Sequence, residues 1–504
     1  MKRRTFVRTT LAAAAAVSLP RRQSLASGFQ EAPQAPPDID AITGAGGQIT
    51  LRGKDIADLA ARLRGRVLLA GDDWYEQARQ ILNPSFDKHP GLIVQPTGVA
   101  DIRMAVDFAR EHDNLLLAVK CGGHSASGQS TCDGGMMIDL SLFRDVRVDP
   151  IARRAWVTGG SLLGQVDHES MAYELVTPMG TVSHTGAGGL VTGGGFGRVA
   201  RRFGLSVDNL VAVDVVTSDG ELRRASKDEN PDLFWGVRGG GGNFGVVTNF
   251  EFELHPMQRQ VVAGRILFPI SRARDVLRMY ADYAPAARDE LSMGFNVFLP
   301  PGGEEGMVGL GVCWSGPESE AERVLEPIRK LGTPQLDAIR AMDYVALQRS
   351  GDYDDPRARG SYLKSGFVAE MPEALIASIV EGLEGDPRRL TAVFMQQSGG
   401  SIGRVPNDAT AFAHRDAMGN LLAAVDWKHG DDPSEHIGWL KQFWARLEPY
   451  TQGFYTNDLE VDATAGSINA NYRGNYDRLV QIKNKYDPGN LFRLNANVRP
   501  TVRA

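Results

Sequence analysis

The run Lys120 to Ser141, KCGGHSASGQSTCDGGMMIDLS, places one histidine inside a stretch of glycines and small residues. Glycines at 122, 123 and 128 let backbone N–H groups turn toward a bound anion, because no Cβ blocks a positive φ or a close approach. A loop of this kind suits a pyrophosphate. Arg or Lys, with a permanent positive charge, is the ordinary side chain in such a cradle. His124 therefore needs another explanation, and covalent attachment of a flavin is one.

Other chemistries find little support. No His, Cys or carboxylate group has metal-ligand spacing, so no metal is expected. No clean G-x-G-x-x-G follows an early strand, and Gly193-Gly194-Gly195-Phe196-Gly197 comes too late and with the wrong spacing for a dinucleotide fingerprint.

Further blocks extend the pattern. They are Gly180-Thr181-Val182-Ser183-His184-Thr185-Gly186-Ala187-Gly188-Gly189, then Phe203-Gly204-Leu205, then Asp232 to Val247 with its four glycines at 239–242. Far downstream come Phe454-Tyr455-Thr456-Asn457, Asn475 to Leu479, and Lys485 to Phe492. In content and order, from about His89 to Pro500, these blocks resemble the FAD-linked oxidases of the berberine-bridge-enzyme-like group, in the vanillyl-alcohol-oxidase superfamily. One glycine loop is weak evidence; the ordered set is strong.

The resemblance implies a PCMH-type FAD-binding domain in two parts, with FAD bonded to His124. It places Lys120, Gly122, Gly123, Ser125, Gly128, Thr181, Thr185, Gly188, Gly189, Gly193, Gly195, Gly197, Val247 and Asn457 at the cofactor. Lys120-Cys121 stands where Arg-Gly is usual, and Lys120 is expected to keep a charge near the phosphates. The family's second covalent link uses a cysteine at the position of Val182, so attachment through His124 alone is expected. Thr185 stands where relatives control O₂ access, and its small side chain points to an oxidase. His184 replaces the family's usual Thr and is open to a substrate contact, a hydrogen bond beneath the ring, or a structural role. His414-Arg415 matches an architectural pair.

Oxidation by hydride transfer also needs a base for the second proton. The resemblance points to Tyr455, whose phenol would need a nearby cation or hydrogen-bond donor to lower its pKa; a packing role for Tyr455 stays open. Relatives also draw a base from a strand before a Trp. Here that strand, Leu421 to Val425 before Trp427, offers only Ala423 and Ala424.

These residues need elements to position them. Leu92-Ile93-Val94, Leu115 to Val119, Ile138 to Leu140, Ala155 to Val157, Leu210 to Thr217 and Val246 to Leu254 read as strands. Asp101 to Glu111 has helical spacing with Asp101 at its start. Between about 258 and 450 the glycine loops thin out. Strand-like runs 261–268, 293–299 and 308–314 alternate with helical stretches 320–331 and 372–383, which fits a sheet covered by helices on one side. The class is α+β. The expected division is a signal peptide (1–26), a linker and N-terminal segment (27–85, with 27–48 rich in Gln, Ala, Pro and Gly), an FAD-binding domain (86–257), a substrate domain (258–450), and a C-terminal segment returning to the FAD domain (451–504).

Whole-chain numbers agree with two domains: 504 residues, 42% hydrophobic and 23% charged. A net charge of −6 argues against nucleic-acid binding. Lys2-Arg3-Arg4-Thr5-Phe6-Val7 before a short apolar run reads as a twin-arginine export signal, with periplasmic or secreted location and no membrane anchor after its removal. Three cysteines, Cys121, Cys132 and Cys313, make no disulfide framework and read as small buried residues. The resulting expectation is an exported FAD oxidase with O₂ as acceptor and a small-molecule alcohol or amine substrate. Sugars come first and secondary metabolites second. A dehydrogenase with another acceptor and a non-catalytic flavin carrier remain as alternatives.

Overall fold

The computed structural model describes residues 35–502 except 353 and 356; the expected export signal at 1–26 lies outside them. Three sheets organise the chain. In the first, Arg66–Leu68, Leu92–Gln95, Met136–Asp139 and Leu117–Lys120 lie side by side. The last three run parallel. Parallel neighbours need a long crossover, and between Leu117–Lys120 and Met136–Asp139 that crossover is the His124 loop. Leu92–Gln95 and Met136–Asp139 are buried throughout, as expected of a covered parallel sheet.

The second sheet is antiparallel, in the order Leu222–Ser226, Leu210–Val216, Val246–Glu253, Arg154–Thr158, Val146–Asp149. Its inward side chains share one core with the C-terminal residues Tyr472, Leu479, Ile482, Tyr486, Ala496 and Val498. The third sheet has eight antiparallel strands between Gln260 and Lys428. Along Arg389–Gln397 burial alternates strictly with period two. One face packs under the helices Ala273–Tyr283, Ala321–Arg329, Glu373–Gly382 and Ser434–Leu447. The other face turns to the flavin-side sheets.

Two expectations need correction. The 27–48 stretch is not a linker throughout: Ile39–Ile42 pairs with Gln48–Leu51 as a hairpin, and Ala41 and Leu51 are buried in the first core. The turn signal Thr43-Gly44-Ala45-Gly46-Gly47 masked it. Arg66–Leu68 also pairs with Leu92–Gln95, so the described part of 27–85 is structurally part of the first sheet's unit. The helix expected from Asp101 begins at Val99 after Gly98. Asp101 instead accepts hydrogen bonds from the backbone N–H groups of Arg64, Gly65 and Thr97, which fastens the helix to the preceding turn.

Arg415 joins the third sheet to the second. Its guanidinium pairs in two places with Asp208, at 2.7 and 2.8 Å, and also reaches Thr410. His414 stacks on Phe367 and bonds Asn471. Both act as architecture.

Candidate active site

The His124 loop leaves the end of its strand and meets a second loop, 180–189, backbone to backbone. A Cβ on Gly122 would lie 2.3 Å from the Gly186 nitrogen, and one on Gly186 would meet Gly122 and Cys121. Only glycine permits this approach. Gly123 takes φ +71° at the turn that presents His124, and its carbonyl accepts from Leu82 N–H.

Between these loops lies a cavity of about 1280 Å³, counting its mouth. Its walls come from three stretches far apart in sequence: Leu117 to Leu140, Gly159 to Val247, and Thr456 to Ala496. Of the expected cofactor residues, Gly122, Gly123, His124, Ser125, Thr185, Gly188, Gly189, Val247 and Asn457 line it. Nothing stands within 4 Å of where a Gly189 Cβ would be, so the backbone there is open to a ligand. Lining residues that the sequence reading did not single out include Ser127, Gln129, Ser130, Leu190, Gly241 and Asn495. Gly241 was visible within the four-glycine run; Gln129 and Asn495 carried no signal of their own.

The remaining expected residues lie off this wall. Lys120 turns away: its ammonium meets the Ala78 and Gln80 carbonyls and pairs with Asp139 at 3.4 Å. Burial pushes its pKa down. The charge expected near the phosphates is thus spent inside the sheet. Gly128 holds φ +70° against the Phe86 ring. Thr181 is exposed. Gly193, Gly195 and Gly197 are small because Asn457, Ser206 and the Met179 carbonyl press on them.

No lining residue carries a permanent charge. A dinucleotide diphosphate here would be held by backbone N–H groups and by the hydroxyls of Ser125, Ser127 and Ser130. Leu117, Val119, Leu140, Val246 and Phe492 belong to one core cluster and give the cavity an apolar flank suited to a flat ring. The residues present therefore fit FAD.

At the histidine end, His124 Nε2 lies 2.7 Å from His184 Nδ1. Burial, then repulsion from His184, lowers the His124 pKa to about 4. The ring is neutral at physiological pH. Cys121, on the same wall, has its thiol pushed up to about 11 by burial. All three cysteines are free. Among the described residues no cluster of three His, Cys or carboxylate side chains could hold a metal, and no helix is long and apolar enough to cross a membrane.

Beyond Asn457 stands Tyr455. Its hydroxyl oxygen accepts from Gly195 N–H at 2.8 Å and from Asn457 Nδ2 at 2.7 Å, and its ring meets Phe196 edge-on. The expected donors are present, and they pull the pKa down. Burial outweighs them, with help from nearby Asp458, so the phenol sits above its ordinary value. No cation pairs with it.

Two carboxyls were missed in the sequence. Asp458 sits half-buried against Asn420 and Ser365, and desolvation raises it to about 7. The strand before Trp427 runs over Gly419–Lys428, and Ala423 belongs to its helix-covered face. Its flavin-side residues are Asn420, Leu422, Ala424 and Asp426, with Asp426 raised to about 6 by burial. Counting by strand period through Trp427 would have found Asp426.

A family model described as an FAD-binding domain matches residues 90–226, and one described as berberine and berberine like matches 461–499. An FAD-linked oxidoreductase of Dictyostelium discoideum is 31% identical, covering 88% of this chain and 97% of the relative. The (R)-6-hydroxynicotine oxidase of Paenarthrobacter nicotinovorans is 30% identical, covering 87% and 97%. Among solved structures, 6-hydroxy-D-nicotine oxidase from Arthrobacter nicotinovorans superposes with a TM-score of 0.79 at 28% identity, covering 86% of this chain and 98% of that one. Xylooligosaccharide oxidase from Myceliophthora thermophila, in complex with xylobiose, gives 0.79 at 25% identity, covering 89% and 100%.

Proposed function

This chain belongs to the berberine-bridge-enzyme-like family of FAD-linked oxidoreductases, and we propose that it is an exported oxidase carrying FAD bonded to His124 alone. Its substrate is a small molecule with a CH–OH or CH–NH centre, and O₂ takes the electrons as H₂O₂. The observation that carries this reading is the neutral, half-buried His124 imidazole on the wall of an uncharged, glycine-lined cavity.

Bound FAD supplies the hydride acceptor. Gly188, Gly189 and the serines after His124 bind the diphosphate. Asn457, fixed by its bond to the Leu190 carbonyl, holds the ring edge. Tyr455 takes the substrate proton, its phenolate stabilised by Gly195 N–H and Asn457. Val182 lies off the cavity wall and Cys121 is held as a thiol, which supports a single covalent link. Relatives named for oxidising 6-hydroxynicotine and xylooligosaccharide bracket the substrate class. The mixed flavin-side face of the third sheet, with Phe394, Gln396, Leu422 and Asp426, suits a ring bearing an amine or several hydroxyls. Twin-arginine export carries folded proteins, and a covalent link keeps the cofactor through that passage.

The test is acid denaturation of the purified protein, read by absorbance and intact mass. Flavin that stays with the polypeptide, and no longer does so in His124→Ala, supports the reading; flavin released from the native chain defeats the covalent link. Substrate bleaching under nitrogen followed by recovery in air supports the oxidase. Bleaching without recovery points to a dehydrogenase.

A further inference from the structure

His124 is one half of a histidine pair. Its Nε2 meets His184 Nδ1 at 2.7 Å, with the rings 4.7 Å apart and tilted by 40°. Its Nδ1 faces the Thr185 hydroxyl at 3.4 Å, too far for a strong hydrogen bond. The two ring nitrogens are therefore unlike: one is tied to a base and the other is the one left for bond formation.

Attachment joins a ring nitrogen to the 8α carbon of FAD. One methyl C–H and one imidazole N–H break, both protons leave, and the C–H electron pair is carried off by dioxygen, the oxidant, as H₂O₂. A neutral imidazole that forms a bond through Nδ1 becomes cationic until Nε2–H departs. In a buried site that charge is costly. His184 Nδ1, 2.7 Å from Nε2, lies in place to accept the proton, and the nearby Asp352 carboxylate favours the charged ring as it forms.

We propose that His184 is the positioning residue that makes His124 a nucleophile, holding Nε2–H and accepting its proton, so that attachment runs through Nδ1. This rests on the covalent link proposed above. Ser183, next in the chain, is anchored by Asp352, whose carboxylate accepts from the Ser183 backbone N–H at 2.7 Å and from its hydroxyl, so the base stands on a fixed loop.

The experiment uses protein expressed under riboflavin starvation, then mixed with FAD in air. Binding is followed by flavin fluorescence, and attachment by acid precipitation and intact mass. Native protein attaches flavin. His184→Ala binds FAD and attaches it roughly 100-fold more slowly, the scale of a lost general base. His184→Gln, which accepts a hydrogen bond but not a proton, also stays slow. Imidazole in the buffer restores the rate of His184→Ala, which loss of a merely structural residue would not allow. The flavinyl peptide carries its link at Nδ1. Should His184→Ala fail to bind FAD, His184→Gln decides by the same criteria. Attachment at the native rate in the deciding variant, or a link at Nε2, overturns the inference while leaving the covalent reading intact. Native protein that releases all its flavin in acid overturns both.

Discussion

Asp458 follows Tyr455 by three residues, and its charge bears on the phenol. Once ionised, Asp458 places a negative charge near a phenol that burial already holds high. A base works only when deprotonated, so kcat/KM should rise with pH well past neutrality. Removing the carboxylate removes one cause of the high phenol pKa, so Asp458→Asn should move the alkaline limb to lower pH. A limb that moves up, or stays put, would show that Tyr455 is not the titrating group. Tyr455→Phe should cost roughly 10²–10⁴-fold in kcat while leaving flavin bound. A second buried acid affects stability instead. Asp167 is pushed to about 7 by burial, with one oxygen held by Gln348 and the other without a partner among the described residues. Below its unfolded pKa of 3.8 the folded and unfolded chains are both protonated there and nothing is lost. As pH rises toward 7 the unfolded chain releases a proton that the folded chain keeps, so folding becomes less favourable. Asp167→Asn should therefore raise the unfolding free energy at pH 8, by up to on the order of 4 kcal/mol, seen as a higher melting temperature, and change little at pH 4. Equal effects at both pH values would contradict this.

At the scale of elements, Arg359–Val368 and Arg389–Gln397 escaped the sequence reading, whereas apolar strands of each sheet, such as Leu92–Gln95, Val246–Glu253 and Met307–Trp314, were legible because runs of β-branched residues carry their own signal. The hairpin Ile39–Ile42 and Gln48–Leu51 was not, since its strands are short and flanked by turn-rich text. The candidate site was legible where glycines mark backbone contact, as at Gly122, Gly123 and Gly188. It misled where a glycine serves packing, as at Gly197 under the Met179 carbonyl, and where a charge serves the sheet, as at Lys120. A motif records which residue is needed but not which neighbour needs it. The two kinds of glycine differ in a testable way. Gly122→Ala drives a methyl against the Gly186 backbone, so the two loops must part. We expect a loss of about 1–3 kcal/mol and much weaker FAD binding. Gly189→Ala meets no protein atom within 4 Å and should leave stability unchanged while lowering FAD affinity. If Gly189→Ala binds FAD as the native chain does, the cofactor does not pass that backbone.

The whole molecule closes the cavity with its own end. Phe492, Leu494, Asn495 and Ala496 form one wall, though some 370 residues separate them from His124. What holds them is Lys483. It is fully buried, and its ammonium donates to the Asn243 carbonyl, the Phe492 carbonyl and Asp487 Oδ2 at 2.7–2.8 Å. Asp487 in turn accepts from the Leu491 and Phe492 backbone N–H groups. All three donors of the cation are used, so the charge is tolerated in spite of the burial that lowers its pKa to about 8. Lys483→Met leaves a buried carboxylate and two carbonyls without their partner, a change that costs about 3–5 kcal/mol in comparable buried pairs. The third sheet has its own core and helices, so the damage should concentrate on the flavin side. In a His124→Ala background, where flavin retention depends on affinity alone, Lys483→Met should release flavin at a lower temperature than it unfolds the third sheet. Lys485→Met is the control: that lysine pairs with Asp232 in solvent at the same helix end, and an exposed pair contributes about 0–1 kcal/mol. Identical flavin-release curves for the two variants would mean that the C-terminal wall is held by its apolar contacts and not by the buried cation.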